Sequence, residues 1–128
     1  MPVPQWNVRQ YAHVVHRFRD HGCDKATWDE VRISFAILIE KGPHGCGDRT
    51  AKKLKNGDGM WELIARYKNL QPRLLFYIDS LTLVFVHAFI KTGGTKDYGR
   101  AITLAKERRA AIKGGRAVIN PVSTTRPH

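Results

Sequence analysis

Near the start of the chain the apolar side chains fall at Val8, Tyr11, Ala12, Val15 and Phe18. Spacings of three and four place them on one face of a helix ending near Asp20. Trp6-Asn7-Val8 reads equally as a short opening strand, and the pattern does not separate the two. His13, His16, Arg17 and Arg19 fall mostly on the wet side of that helix. A second stripe, Trp28, Val31, Phe35, Leu38 and Ile39, has the same period. The capping signature Thr27-x-x-Glu30 and the stop Lys41-Gly42-Pro43 predict a helix from Trp28 to Lys41. A glycine-rich basic stretch, Gly45 to Gly59, follows; it carries Lys52, Lys53 and Lys55 and ends in the turn-like Asn56-Gly57-Asp58-Gly59.

Beyond that turn the pattern becomes alternating. Trp61, Leu63, Ala65 and Tyr67 interleave with Glu62, Ile64, Arg66 and Lys68, which predicts a half-buried strand. A second strand runs from Arg73 to Ile78, and Asp79-Ser80 turns the chain into a third, Leu81 to Lys91, ended by Gly93-Gly94. Strict alternation puts Leu83, Phe85, His87, Phe89 and Lys91 on one face of this strand and Val84, Val86, Ala88 and Ile90 on the other. A last helix, Tyr98 to Lys113, presents Ala101, Ile102, Ala105 and Ile112 to the sheet. Residues 114–128 have little to bury and are expected to form a flexible tail.

The expected architecture is α+β: two N-terminal helices, an antiparallel sheet of three to four strands and a C-terminal helix, all in one domain over residues 1–113. The helices are expected on one sheet face, leaving the other open for function. Glu62, Arg66 and Lys68 form one row, and His87, Phe89 and Lys91 another; register decides whether the rows share a face.

A chain of 128 residues has room for a single modest core and no more. No apolar run approaches the roughly 18 residues of a membrane span, and Met1-Pro2-Val3-Pro4 has no leader-like basic and apolar blocks. A soluble, cytoplasmic protein with no membrane association is expected. The net charge of +11 is uneven, with 12 basic and 3 acidic residues from Ala65 onward. Such a half-chain favours a polyanionic partner through steering and counterion release. The two cysteines sit in matching tripeptides, His21-Gly22-Cys23 and His44-Gly45-Cys46. The helix between them, on the order of 20 Å long, keeps them too far apart for one zinc ion, so no metal and no other cofactor is expected.

Four blocks in the second half resemble the RelE/HigB superfamily of toxins, in its HigB-like, phage-derived branch. Leu54-Lys55-Asn56-Gly57-Asp58-Gly59-Met60-Trp61-Glu62-Leu63 resembles the opening L…G-x-x-E-L-R, and Arg73 to Ile78 the strand Y-R-V-L-Y. His87-Ala88-Phe89-Ile90-Lys91 is similar to H-G-F-x-K-K, and Ala101 to Arg109 to the closing helix E-I-x-x-A-x-x-R. The chain departs from the pattern at Ile64, where the family has Arg, at Thr92, and at Gly93-Gly94-Thr95-Lys96-Asp97. The resemblance implies a RelE-like fold and the toxin of a type II toxin–antitoxin system. It implies cleavage of mRNA on the translating ribosome and neutralisation by a helix-turn-helix, HigA-like antitoxin. The alternatives are a non-enzymatic toxin of the RelE/ParE fold or a basic nucleic-acid-binding protein that acts by binding a host target.

RNA is cut without metal when its 2′-hydroxyl attacks the adjacent phosphorus while a base, an acid and cations assist. Arg73 is the first choice for phosphate, through a bidentate guanidinium, with a structural ion pair to Glu62 as its other reading. His87 is the candidate acid or base, and Lys91 and Arg66 are candidate transition-state cations. Phe89 stacks a base or fills core, and Lys68, Lys96 and Tyr98 stand further out. Lys52, Lys53, Lys55, Arg108 and Arg109 are expected to position the RNA backbone or simply to be solvated.

Overall fold

The computed structural model describes residues 5–92 and 95–126, without the side chains of 95–97. Gly93-Gly94 and the Lys96 side chain, both singled out above, therefore lie outside the described residues. A six-stranded sheet in the order β2-β3-β4-β5-β1-β6 forms the middle of the molecule. Its strands are β1 (Asn7–Tyr11), β2 (Ala51–Lys53), β3 (Trp61–Ile64), β4 (Gln71–Asp79), β5 (Thr82–Lys91) and β6 (Ile119–Pro121). The helices are α1 (Val14–Arg17), continued by a π-helical turn Phe18–Gly22, α2 (Lys25–Lys41) and α3 (Thr95–Lys113). All pairings are antiparallel except that of β1 with β5.

The expected first helix is thus a strand followed by a short helix. Val8 pairs with Leu83 in the sheet, whereas Val15 and Phe18 lie on the helical segment. Their i, i+3, i+4 spacing spans two elements that feed neighbouring parts of one core. Gln10 makes the junction. Its fully buried Oε1 accepts from the backbone N–H groups of Val15 (2.9 Å) and His16 (3.1 Å), capping the helix, while Nε2 donates to the Pro121 carbonyl (2.9 Å). α2 begins three residues before its predicted start, because Asp24 caps it by accepting from the Thr27 N–H (2.8 Å). It ends at Gly42, whose φ of +77° and nearness to the Trp6 indole leave no room for a side chain.

Both sheet faces are covered, so no open face remains as expected. On one face Trp28, Val31, Phe35 and Leu38 of α2 pack with Leu63, Leu74, Phe76, Leu83 and Phe85. Phe85 sits 4.8 Å, ring centre to ring centre, from both Phe35 and Phe76. On the other face Ala101 and Ala105 of α3 pack with Met60, Leu75, Tyr77, Val84 and Val86. The cause lies in β4, where both alternating rows are apolar; a strand of that kind needs a layer on each side. Each large side chain so buried contributes roughly 1.5–3 kcal/mol.

The predicted face of the last strand is also broken. Leu75 pairs with His87 but Phe76 pairs with Phe85, so Val86 is an extra residue, a β-bulge. Leu83 and Phe85 point to α2, whereas Phe89, beyond the bulge, joins the α3 side, and Ala88 and Ile90 join the α2 side. The segment from Gly114, expected as a loose tail, supplies β6, which pairs with β1. Beyond β6, Arg19 donates to the carbonyls of Ser123 (2.8 Å) and Thr125 (3.2 Å), and the Trp28 indole N–H to that of Thr124 (2.7 Å). Backbone groups satisfied by distant side chains are what the sequence pattern omits.

Candidate functional site

α3 crosses the sheet and divides its basic residues between two flanks. On the first flank a cleft of ≈ 450 Å³ is lined by Lys52, Lys53, Leu54, Lys55, Glu62, Lys91, Tyr98 and Ile102. Lys52 and Lys53 stand on edge strand β2, paired with Glu62 and Trp61 of β3, and Lys55 follows in the turn. All three are exposed. Lys91 reaches in from the end of β5, with Nζ 5.5 Å from the centre of the Tyr98 ring. Tyr98 also meets Phe89 edge-on at 5.7 Å.

Glu62 forms the floor of this cleft and is 2% exposed. Its Oε2 lies 4.0 Å from Arg73 Nε, and neither atom has a hydrogen-bond partner among the described residues. The remaining Arg73 donors are in use: Nη1 to the carbonyls of Ala65 (3.0 Å) and Pro72 (2.9 Å), and Nη2 to Gln71 Oε1 (3.1 Å). Arg73 thus knits β4 to the end of β3 and faces a buried carboxylate. Burial first, and then the Glu62 carboxylate, push the Tyr98 phenol up to about 12, while Arg73 pulls the other way. Tyr98 is therefore a neutral hydrogen-bond donor at any physiological pH.

His87 lies on the second flank. A groove of ≈ 360 Å³ runs between it and Arg108 on one side and Arg17 and His21 on the other. Arg108 Nη1 donates to the Val86 carbonyl (2.7 Å) and lies 3.4 Å from His87 Nδ1. Its guanidinium also covers the Tyr11 ring at 4.8 Å. Burial, and then the Arg108 charge, push the His87 imidazole down to about 4.

The other predicted residues lie apart from both. Arg66 is exposed just beyond β3, and Lys68 is exposed with a φ of +54° and its Nζ 5.4 Å from the centre of the Tyr67 ring. Arg109 clamps the Asn56-Gly57-Asp58-Gly59 turn by donating to the Asp58 carbonyl (2.6 Å) and carboxylate (3.0 Å). Of the four residues proposed for catalysis, then, Lys91 lines the cleft, Arg73 lies behind its floor, His87 lies across α3 and Arg66 is outside. What brings the lysine run Lys52-Lys53-Lys55 to Lys91 is the pairing of β2 with β3, for which three residues of Ala-Lys-Lys carry almost no strand pattern.

Cys23 and Cys46 lie at opposite ends of α2, each donating to a nearby backbone carbonyl, that of Phe18 and that of Pro43. Among the described residues no three His, Cys, Asp or Glu side chains converge as a metal-binding group. No described helix is long and apolar enough to cross a membrane.

No curated protein and no solved structure matches the chain significantly. Residues 21–110, from the π-helical turn to α3, match the model of the family described as phage derived protein Gp49-like (DUF891). The matched span contains α2, strands β2 to β5 and the lysine cleft, and the chain belongs to this phage-derived Gp49-like family.

Proposed function

We propose that the protein is the toxin of a type II toxin–antitoxin pair, and that it acts on RNA through the lysine cleft. Four ammonium groups surround a floor formed by the buried Glu62 and the Tyr98 phenol, in a protein of net charge +11. That convergence is the observation that carries the reading. Family membership and the resemblance to HigB-like toxins support it, with a helix-turn-helix antitoxin as the partner and mRNA on the translating ribosome as the substrate.

In this reading the RNA 2′-oxygen attacks phosphorus and the bond to the 5′-oxygen breaks, leaving a 2′,3′-cyclic phosphate and a 5′-hydroxyl. Water takes the proton of the 2′-hydroxyl and supplies one to the leaving oxygen. Lys91 and the β2 lysines hold the charge that builds on the phosphorane oxygens, while Tyr98, hydrogen-bonded to Glu62, braces the floor beneath them. The ribosome supplies orientation of the strand. Metal-independent cleavage of this kind asks for cations and donors of the sort the cleft presents.

A second reading, a non-enzymatic toxin that binds its target, draws support from Arg73 and His87. The first spends its donors on backbone carbonyls and the second sits across α3. Brief induction of wild type and of Lys91→Ala, with mapping of transcript ends, separates the two. The nuclease reading expects new 5′-hydroxyl ends in wild type, reduced at least tenfold in Lys91→Ala (about 1.4 kcal/mol of transition-state stabilisation). Growth arrest by both proteins with no new ends would favour the binding reading.

A further inference from the structure

We infer that the groove on the second flank, between α1 with its π-helical turn and the His87–Arg108 pair, is a binding site for a phosphate group. Arg17, His21, His87 and Arg108 line it together with apolar side chains, and no carboxylate is among its lining residues. Two acids act on it from outside the lining: Asp20, held by Arg19 at 2.8 Å, on His21, and the exposed Glu107 on Arg108. Two guanidinium groups and two imidazoles thus line one groove with no carboxylate in its wall.

The geometry is preorganised rather than accidental. A bulge at Val86 turns His87 toward the α3 side, and the same Val86 offers its carbonyl to Arg108. A guanidinium can only donate, so at 3.4 Å His87 Nδ1 is the accepting nitrogen and the neutral ring carries its proton on Nε2. The ring therefore retains an N–H donor. Arg108 uses Nη1 on the strand and rests on Tyr11, which fixes its plane. Arg17 and His21 are exposed on the opposite wall and can move onto a ligand. A tetrahedral dianion or a phosphodiester offers the several acceptor oxygens that such donors need. Burial first, and then the Arg108 charge, lower His87; burial, with Arg17 adding to it, lowers Arg108; an anion in the groove offsets these neighbouring positive charges.

Val14, Arg17 and Phe18 of this groove precede residue 21, where the match to the family begins. The inference stands apart from the RNA-cleavage reading, which concerns the other flank. A phosphate group reaches a protein either as a free phosphate ester or within an RNA backbone, and the test distinguishes the two.

Histidine ring resonances of the full chain are followed while inorganic phosphate, adenosine 5′-monophosphate or a short RNA is added in a buffer free of other multivalent anions. His44, which packs edge-on against Trp61 far from the groove, is the control for bulk ionic strength. Saturable movement of His87 and His21, but not His44, is expected. Arg17→Gln with His21→Gln, both on exposed positions, should weaken it about tenfold or more. A response to phosphate or the mononucleotide assigns a free ester; a response to RNA alone assigns a backbone phosphodiester. If His87 and His21 follow His44 with all three probes, or the double variant binds like wild type, the site does not exist. Lys91→Ala should leave this titration unchanged, so loss of RNA cleavage with an intact titration overturns only the reading of the other flank.

Discussion

The two flanks of α3 carry charge of the same sign in opposite ways. In the cleft the cations are lysines on flexible stems, three of them exposed on an edge strand and its turn, above a buried acid. In the groove the key cation is an arginine pinned to a strand carbonyl, beside an imidazole that its own surroundings keep neutral. The first arrangement attracts a polyanion from a distance and tolerates many poses. The second offers few donors at set positions. Steering and recognition are separate tasks, and under the two proposals they fall on separate flanks of one helix.

The largest expected effect tests the support beneath the cleft. Arg73→Ala leaves Glu62 buried without its counter-charge and removes the donor to the Ala65 and Pro72 carbonyls. A loss of about 3 kcal/mol or more is expected, because breaking one half of a buried pair strands the other. It is read as a lowered denaturant midpoint. A midpoint within experimental error of wild type would mean that Arg73 is free to serve a ligand. Any loss of activity in this variant has to be judged against that unfolding.

A smaller effect probes the groove through pH. Free histidine titrates near 6.5 and His87 near 4, so the unfolded chain binds a proton that the folded chain refuses over that window. Stability is then unaffected by this group above pH 6.5 and declines as pH falls from 6.5 toward 4, since the unfolded state binds more protons there. His16, also held below its usual value, acts in the same direction. His87→Asn should flatten part of that decline in a series of denaturant melts. An unchanged slope would show that His87 titrates normally.

The smallest effects fall on Arg66 and Lys68, which are exposed and belong to neither flank. Replacing either with Ala should change stability by no more than about 0.5 kcal/mol. RNA affinity should fall at most severalfold, and more at low salt than at high salt. A loss as large as that of Lys91→Ala would extend the working surface beyond the cleft.

Much of this layout was legible in the chain. The helical stripe of α2, the alternation in β3 to β5, the closing helix and the basic run Lys52-Lys53-Lys55 all follow from period and charge. Less visible were features that need two distant segments. Val8 to Phe18 kept a helical spacing although a strand and a helix share it. One bulge at Val86 moved His87 away from the face of Leu83 and Phe85 on which strict alternation had put it. The Glu62–Arg73 pair was foreseen as one of two readings, and burial at 2% and 8% favours it.

By itself the sequence determined the helices over 28–41 and 98–113, the extended runs from 61 to 91, how strongly basic the chain is and where its lysines cluster, because those depend on neighbours a few residues apart. Tertiary structure alone decided that helices cover both faces, that residues 119–121 close the sheet beside β1, and that α3 separates Lys91 from His87. Those outcomes depend on register and on hydrogen bonds between residues up to 111 positions apart, and no local period records them.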